Sequence, residues 1–180
     1  RLLFKPLAII IQSLSSSGKS FVAETTSTLF PPESIFNATA MTPQSLIYLP
    51  SGTLKHKFIV AGERSRRNDD GVADATKALR EMISSGRLSK LLPIKDKDTG
   101  AFVTVKLEQP GPIAYCESTT ANNIFEEDMN RCLLVSTDER SEQTRLVLTR
   151  IAELNSGATI SDNEAIIQKH WALQRMLKQR

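Results

Sequence analysis

The sequence of 180 residues is poor in the residues that build covalent or metal-held scaffolds. It has two cysteines and two histidines, and both Cys116 and Cys132 stand in apolar, strand-like runs. This small number argues against a disulfide framework and against a site made of several metal ligands. We therefore expect buried thiols in a reducing compartment and a cytoplasmic protein.

Long hydrophobic runs are also missing. No apolar stretch approaches the roughly 20 residues that a membrane-spanning helix needs, so no membrane partner is expected. Aromatic residues make up 6% of the sequence and the formal net charge is +3, which permits nucleic-acid binding without arguing for it. Because the sequence starts at Arg1 without a signal peptide and enters a strand almost at once, we expect a piece of a longer protein.

The most informative part of the chain is the stretch LAIIIQSLSSSGKS, which covers residues 7–20. Its apolar run predicts a buried strand, small residues form a loop, and Gly18-Lys19-Ser20 opens a segment with helical apolar spacing. This order is typical of a phosphate-binding loop, where backbone N–H groups and a helix N-terminus surround anionic phosphates. Ser13 stands where such loops usually have glycine.

The loop predicts that the chain binds and hydrolyses a nucleoside triphosphate, with ATP and Mg²⁺ as cofactors. Lys19 would reach the β- and γ-phosphates, and the Ser20 hydroxyl would ligate Mg²⁺. The alternative is a serine-rich linker. The predicted nucleotide-binding residues are Ser13, Ser15, Ser16, Ser17, Gly18, Lys19, Ser20 and Phe21.

Strand and helix patterns alternate along the chain, which predicts an α/β fold with a parallel five-stranded sheet flanked by helices. After the strand that precedes the loop, strands are expected at 35–39, 57–61, 112–120 and 132–136, and helices at 44–49, 72–84, 141–154 and 161–178. Two alternating runs around an Asp/Gly turn, at about 88–107, predict an inserted β-hairpin. We expect an ATPase core over 1–140 and a C-terminal helical segment over 141–180.

Further residues are candidates for the chemistry of phosphoryl transfer. Glu63 stands at the end of an apolar strand, where it could polarise the attacking water or hold Mg²⁺. The alternative is an ordinary charge at a strand end. The preceding residue is Gly62, at a position where a metal-binding Asp is usual. Thr120, or its neighbour Thr119, could contact the γ-phosphate or cap a helix. Arg131 could reach a neighbouring subunit's nucleotide or pair with the acids before it.

The order of these elements resembles that of the AAA+ ATPases. A phosphate loop, an acid-ended strand, a helix, a hairpin, a polar-ended strand and Asn130-Arg131 before a last strand follow one another. The position of the hairpin is similar to the pre-sensor-1 hairpin group, which includes minichromosome-maintenance and viral superfamily III helicases. Over about residues 5–150 the chain is similar to phage- and mobile-element primase-helicases, in the runs AMTPQSL (40–46), LKHK (54–57), STT (118–120), MNRCL (129–133), TDE (137–139) and EQTR (142–145).

The resemblance implies a homo-oligomeric ring, often a hexamer, with the nucleotide between subunits. Lys19 and Ser20 would serve their own subunit, Arg131 would act on the neighbour's nucleotide, and Thr120 or Thr119 would be the sensor. A primase or zinc-finger module would lie upstream in the whole protein.

The resemblance also assigns a role to the hairpin, which would line the central channel. Lys95 and Lys97 at its tip would contact DNA phosphates, although taken alone they fit a solvated turn equally well. No aromatic residue stands at the turn itself, so base stacking is not expected there.

The leading hypothesis is an ATP-driven DNA helicase or helicase loader in the replication of a phage or mobile element. The alternatives are a protein-remodelling ATPase of the same fold, a small-molecule phosphotransferase, and a domain that binds nucleotide without hydrolysing it. A phosphotransferase needs a base near the acceptor hydroxyl, and the second expected strand ends without a carboxylate.

Overall fold

The computed structural model describes residues 1–38, 43–63, 70–97, 99–121, 124, 126–157 and 163–178. Within these ranges the chain forms seven strands, six α-helices and the short 3-10 helix Pro32–Ser34. The strands are β1 (Ala8–Gln12), β2 (Ile35–Ala38), β3 (Phe58–Glu63), β4 (Arg87–Lys95), β5 (Phe102–Pro110), β6 (Ala114–Thr119) and β7 (Leu133–Val135). The helices are α1 (Lys19–Thr28), α2 (Pro43–Ile47), α3 (Asp70–Ser85), α4 (Glu126–Met129), α5 (Ser141–Asn155) and α6 (Glu164–Lys178).

Five of the strands form a parallel sheet in the order β2-β3-β6-β1-β7. This confirms the predicted α/β fold with a parallel five-stranded sheet flanked by helices. The predicted strand end at 39 and helix start at 161–162 lie outside the described residues. Because the strands are parallel, the carboxyl ends of β1, β3 and β6 meet at the same edge, where ligands of such sheets bind.

Two apolar clusters hold the sheet between its helices. The larger one packs α2, α3 and the base of β4 on one face, around Leu54, Ile59 and Met82, of which at most 1% is exposed. The smaller one packs α1 through Ala23 against a set that includes Cys116 of β6. Covered on both faces, β6 is buried along its whole length, as a central parallel strand should be.

The predicted hairpin is present as β4 and β5, which pair antiparallel in nine residue pairs from Arg87–Pro110 to Lys95–Phe102. Gly86 ends α3 with a left-handed φ of +65°, as its position after the apolar periodicity predicts. The base of the hairpin is buried at Leu88 and Gln109, whereas most of its outer part is exposed. The hairpin therefore stands out from the sheet between α3 and β6.

The last helix, α6, docks on the carboxyl end of α1. The indole N–H of Trp171 donates to the carbonyl of Thr28 at 2.8 Å, and the amide of Gln174 donates to the carbonyl of Leu29 at 2.9 Å. These donors satisfy carbonyl groups that the end of a helix leaves free. Several apolar side chains of α6 take no part in this docking, because they are exposed: Ile166, Leu173, Met176 and Leu177.

Helix α5, like α6, contains no buried residue. Neither cysteine takes part in a disulfide; Cys116 is buried in β6 and Cys132 is half-buried before β7. Burial, with a smaller effect of the neighbouring Glu117, raises the pKa of the Cys116 thiol to about 11. Among the described residues, no helix has the length and apolar content that crossing a membrane requires.

Candidate functional site: the phosphate loop and its neighbours

The loop of residues 13–18 carries the chain from β1 into α1 through two left-handed residues. Ser16 has a φ of +61° and Gly18 a φ of +88°. Left-handed residues within a turn direct successive N–H groups toward one side and form a concavity that suits anions. A Cβ on Gly18 would meet no atom within 4 Å, so backbone conformation rather than space favours glycine there. For Ser16, a left-handed conformation costs about 1 kcal/mol.

Helix α1 begins directly at this concavity, with Gly18 as its N-cap and with no side chain capping its first N–H groups. The free N–H groups and the helix dipole place a partial positive charge at the loop. Ser20 and Phe21 are exposed in the first turn, Phe21 by 71% of its surface. The Ser20 hydroxyl is thus accessible beside the loop, as a metal ligand has to be.

Lys19 folds over the loop instead of extending into solvent. Lys19 is only 6% exposed, and its ammonium donates to the carbonyls of Ser13 at 3.1 Å and Leu14 at 2.5 Å. The positive charge therefore lies at the concavity that the loop forms. A phosphate group in the loop would meet both this charge and the backbone N–H groups.

The end of β6 borders the loop directly. Thr119 pairs with Gln12 in the sheet, and its carbonyl accepts the N–H of Ser13 at 3.3 Å. Thr119 is 1% exposed, and its hydroxyl accepts the N–H of Ala121 at 3.1 Å in a tight turn. Of the two predicted sensor candidates, Thr119 thus belongs to the turn, and Thr120 lies half-buried just past the strand.

Glu63 ends β3 on the other side of β6. Val60 pairs with Cys116 and Glu63 with Ser118, so three steps along β3 span two along β6. This bulge, which includes Gly62, puts Glu63 at the register position that Gly62 would hold in a regular ladder. Two strand spacings, about 9.5 Å, separate the backbone of Glu63 from β1. Its side chain lies outside what the structure describes.

Arg131 lies away from the loop of its own chain. It precedes β7, whose Leu133 pairs with Ile9, and the loop begins about 13 Å further along β1. The guanidinium donates from Nε to the Ser84 hydroxyl at 2.7 Å and from Nη1 to the Glu127 carbonyl at 2.6 Å. The fold therefore brings Lys19, Ser20, Thr120 and the backbone of Glu63 to one edge of the sheet, but not Arg131.

The hairpin tip carries Lys95 and Lys97, both exposed. Directly opposite Lys95, the first residue of β5 is Phe102, which is 78% exposed. The absence of an aromatic residue from the turn itself is therefore misleading, because strand pairing brings a ring to the tip. The apolar alternation of 101–107 contains Phe102, but only the register of the hairpin shows that it faces Lys95.

Two contacts of the loop have no local signal in the sequence. The N–H of Thr137 donates to the hydroxyl of Ser13 at 2.8 Å, and a carboxylate oxygen of Glu139 accepts the N–H of Leu14 at 2.7 Å. Glu139 is 125 residues beyond the loop that it contacts. These two hydrogen bonds connect the loop to the segment between β7 and α5.

A parallel five-stranded sheet with a Gly-Lys-Ser loop between its first strand and first helix is the fold of the P-loop nucleoside triphosphatases. No protein-family model matches the sequence, and no curated protein matches it. Among solved structures, the chain is similar to one described as a possible uridine kinase from Bacillus stearothermophilus. The two are 17% identical, the match covers 78% of this chain and 75% of the other, and the TM-score is 0.37. A similarity at this level carries no argument about the reaction.

Proposed function

We propose that this chain is the ATPase motor of a DNA-acting ring, most closely a replicative or primase-associated helicase of a phage or mobile element. The observation that carries the proposal is the meeting of three strand ends at one edge of the sheet. The phosphate loop with Lys19 follows β1, Thr120 follows β6, and Glu63 ends β3. These are the parts that phosphoryl transfer to water requires: a phosphate cradle, a polar contact and a base.

In the proposed reaction, the loop N–H groups and the Lys19 ammonium hold the β- and γ-phosphates of ATP. Mg²⁺, held by Ser20, would neutralise phosphate charge when bound. Glu63 orients a water molecule and accepts its proton as the water oxygen bonds to the γ-phosphorus. The bond from that phosphorus to the β–γ bridging oxygen breaks, and ADP and phosphate leave.

The position of Arg131 supports a shared site between two copies of the chain. It lies toward the other end of the sheet from its own loop, so it can stabilise phosphate charge only on a neighbour's nucleotide.

The hairpin supports nucleic acid as the substrate on which the motor acts. Lys95 and Lys97 provide charges for backbone phosphates, and Phe102 provides an exposed ring on which an unpaired base can stack. Bases are accessible to such a ring in a single strand, so single-stranded DNA is the expected ligand of the tip.

The first experiment measures ATP hydrolysis across protein concentration, with and without single-stranded DNA, for the wild type, Lys19→Ala and Arg131→Ala. A shared site predicts a rate that rises more than linearly with protein and that DNA stimulates. Each variant alone should be inactive, and mixing them should restore part of the activity, since some interfaces regain both groups. A rate that is first-order in protein, indifferent to DNA and unaffected by Arg131→Ala would refute the ring motor and favour a phosphotransferase.

A second experiment separates phosphate contacts from base stacking at the hairpin tip. Replacing Lys95 and Lys97 by alanine should reduce the magnitude of the negative slope of log affinity against log salt by about 1.4, because two phosphate contacts are lost. Phe102→Ala should weaken binding about 5- to 150-fold and leave the slope unchanged. Lys106→Ala is the matched control, since that ammonium pairs with Glu108 at 2.7 Å. Equal DNA affinity in all these variants would exclude the tip as the DNA contact.

A further inference from the structure

The phosphate loop is fastened at its first two residues to the segment that follows β7. The N–H and the hydroxyl of Ser13 take part in three hydrogen bonds, one of which reaches that segment. Its N–H donates to the Thr119 carbonyl at 3.3 Å, and its hydroxyl donates to the Gln12 carbonyl at 2.6 Å and accepts the Thr137 N–H at 2.8 Å. Ser13 thus joins the ends of β1, β6 and β7. A glycine at this position would lack the two hydroxyl contacts.

Glu139 makes the second fastening, at Leu14. Its carboxylate accepts the Leu14 N–H at 2.7 Å, which is a hydrogen bond between a charged acceptor and a backbone donor. The adjacent acid, Asp138, is occupied elsewhere, because the Arg140 guanidinium contacts both of its oxygens at 2.7 to 3.1 Å. Two neighbouring carboxylates therefore have separate partners, and only Glu139 contacts the loop.

The backbone segment that these contacts hold in place also binds the side chain of Lys19. The Lys19 ammonium donates to the carbonyls of Ser13 and Leu14, the same two residues that Thr137 and Glu139 contact. The loop beyond them includes Ser16 in a left-handed conformation, which an unconstrained chain disfavours. External contacts at the start of the loop reduce the conformations that a bound phosphate would have to select.

We infer that Ser13 and Glu139 are positioning residues that hold the phosphate loop in the conformation that binds nucleotide. This inference rests on the proposed nucleotide binding and goes beyond it, because it gives a role to a serine at the usual glycine position and to an acid remote in sequence. In this role neither side chain would contact the phosphates, so Ser13 would not be the direct nucleotide ligand that the sequence predicts. Both act through the backbone of Ser13 and Leu14, and through it on the Lys19 ammonium.

The test is equilibrium binding of a fluorescent ATP analogue with Mg²⁺ to the whole chain. Ser13→Ala, Ser13→Gly and Glu139→Ala should each raise the Kd about five- to tenfold, the effect of one or two lost hydrogen bonds. Glu139→Gln should bind nearly as the wild type does, since its amide oxygen can accept the Leu14 N–H. Asp138→Ala is the matched control and should leave the Kd unchanged. In steady-state hydrolysis the first three variants should raise KM and keep kcat.

Nucleotide binding by the wild type separates this inference from the proposed function. A wild type that binds no nucleotide refutes the proposed function and the inference with it. A wild type that binds, with Ser13→Gly and Glu139→Ala equal to it, refutes only the inference. Hydrogen exchange in the nucleotide-free protein gives a measurement independent of binding. The amides of Leu14 and Thr137 should be protected from exchange in the wild type. Glu139→Ala should remove the protection of the Leu14 amide, and Ser13→Ala should remove that of the Thr137 amide. Unprotected amides in the wild type would overturn the inference.

Discussion

Replacing Asp128 by alanine tests how the structure holds the helix that presents Arg131. The Asp128 side chain is 3% exposed and accepts Nε of Arg80 at 2.5 Å, and the Arg80 side chain is 19% exposed. Nη1 of Arg80 also contacts the Glu127 carboxylate at 2.9 Å. The Asp128 carbonyl accepts the N–H groups of Arg131 and Cys132, so this residue links α3 to the start of β7.

The size of the effect follows from burial. Breaking a buried ion pair by removing one partner costs about 3–5 kcal/mol, because the other charge is left without compensation. Arg80 keeps its contact with Glu127, so we expect about 3 kcal/mol, the lower end of that range. For a chain of this length, that corresponds to a fall in Tm of about 6–12 °C.

The assay is thermal and urea unfolding followed by circular dichroism. The matched control is Glu127→Ala, which removes the partner whose side chain is 68% exposed. This substitution should lower the free energy of unfolding by less than about 1 kcal/mol. Replacing Arg80 by methionine together with Asp128 by leucine should recover much of the loss, since no unpaired charge remains. If Asp128→Ala were as stable as Glu127→Ala, the argument from the buried pair would be refuted.

Two further predictions concern titrating groups. Because burial raises the pKa of Cys116 to about 11, a thiol reagent at pH 8 should modify Cys132 and leave Cys116 intact in the folded protein, as mass spectrometry of peptides would show. The hydrogen bond from Arg175 lowers the pKa of Glu33 to about 2 from its ordinary 4.5, so this contact favours docking of α6 above pH 4.5 and is lost as the pH falls toward 2. The fluorescence of Trp171, the single tryptophan, should shift over that window and not in Glu33→Gln; equal profiles would contradict the role of this ion pair.

Much of the fold could be predicted because its signals are local. The apolar run before Gly18 predicts the buried strand, and the Gly-Lys-Ser triplet places the loop and the start of α1. The periodicity of α3 and the glycine after it predict where that helix ends. Alternation around an Asp/Gly turn predicts the hairpin. Each of these signals depends on neighbours within a few residues, where backbone preference and side-chain spacing act directly.

The sequence by itself therefore determined the α/β class, the position of the phosphate loop and the residue types that could serve it. Only the tertiary structure decided that β6 lies between β1 and β3, that a bulge moves Glu63 into the place of Gly62, and that Arg131 is far from its own loop. It also brought Glu139 to Leu14. The physical reason is that parallel strands pair segments far apart in the chain, and the partner of a strand end depends on strand order and register, which no local pattern encodes.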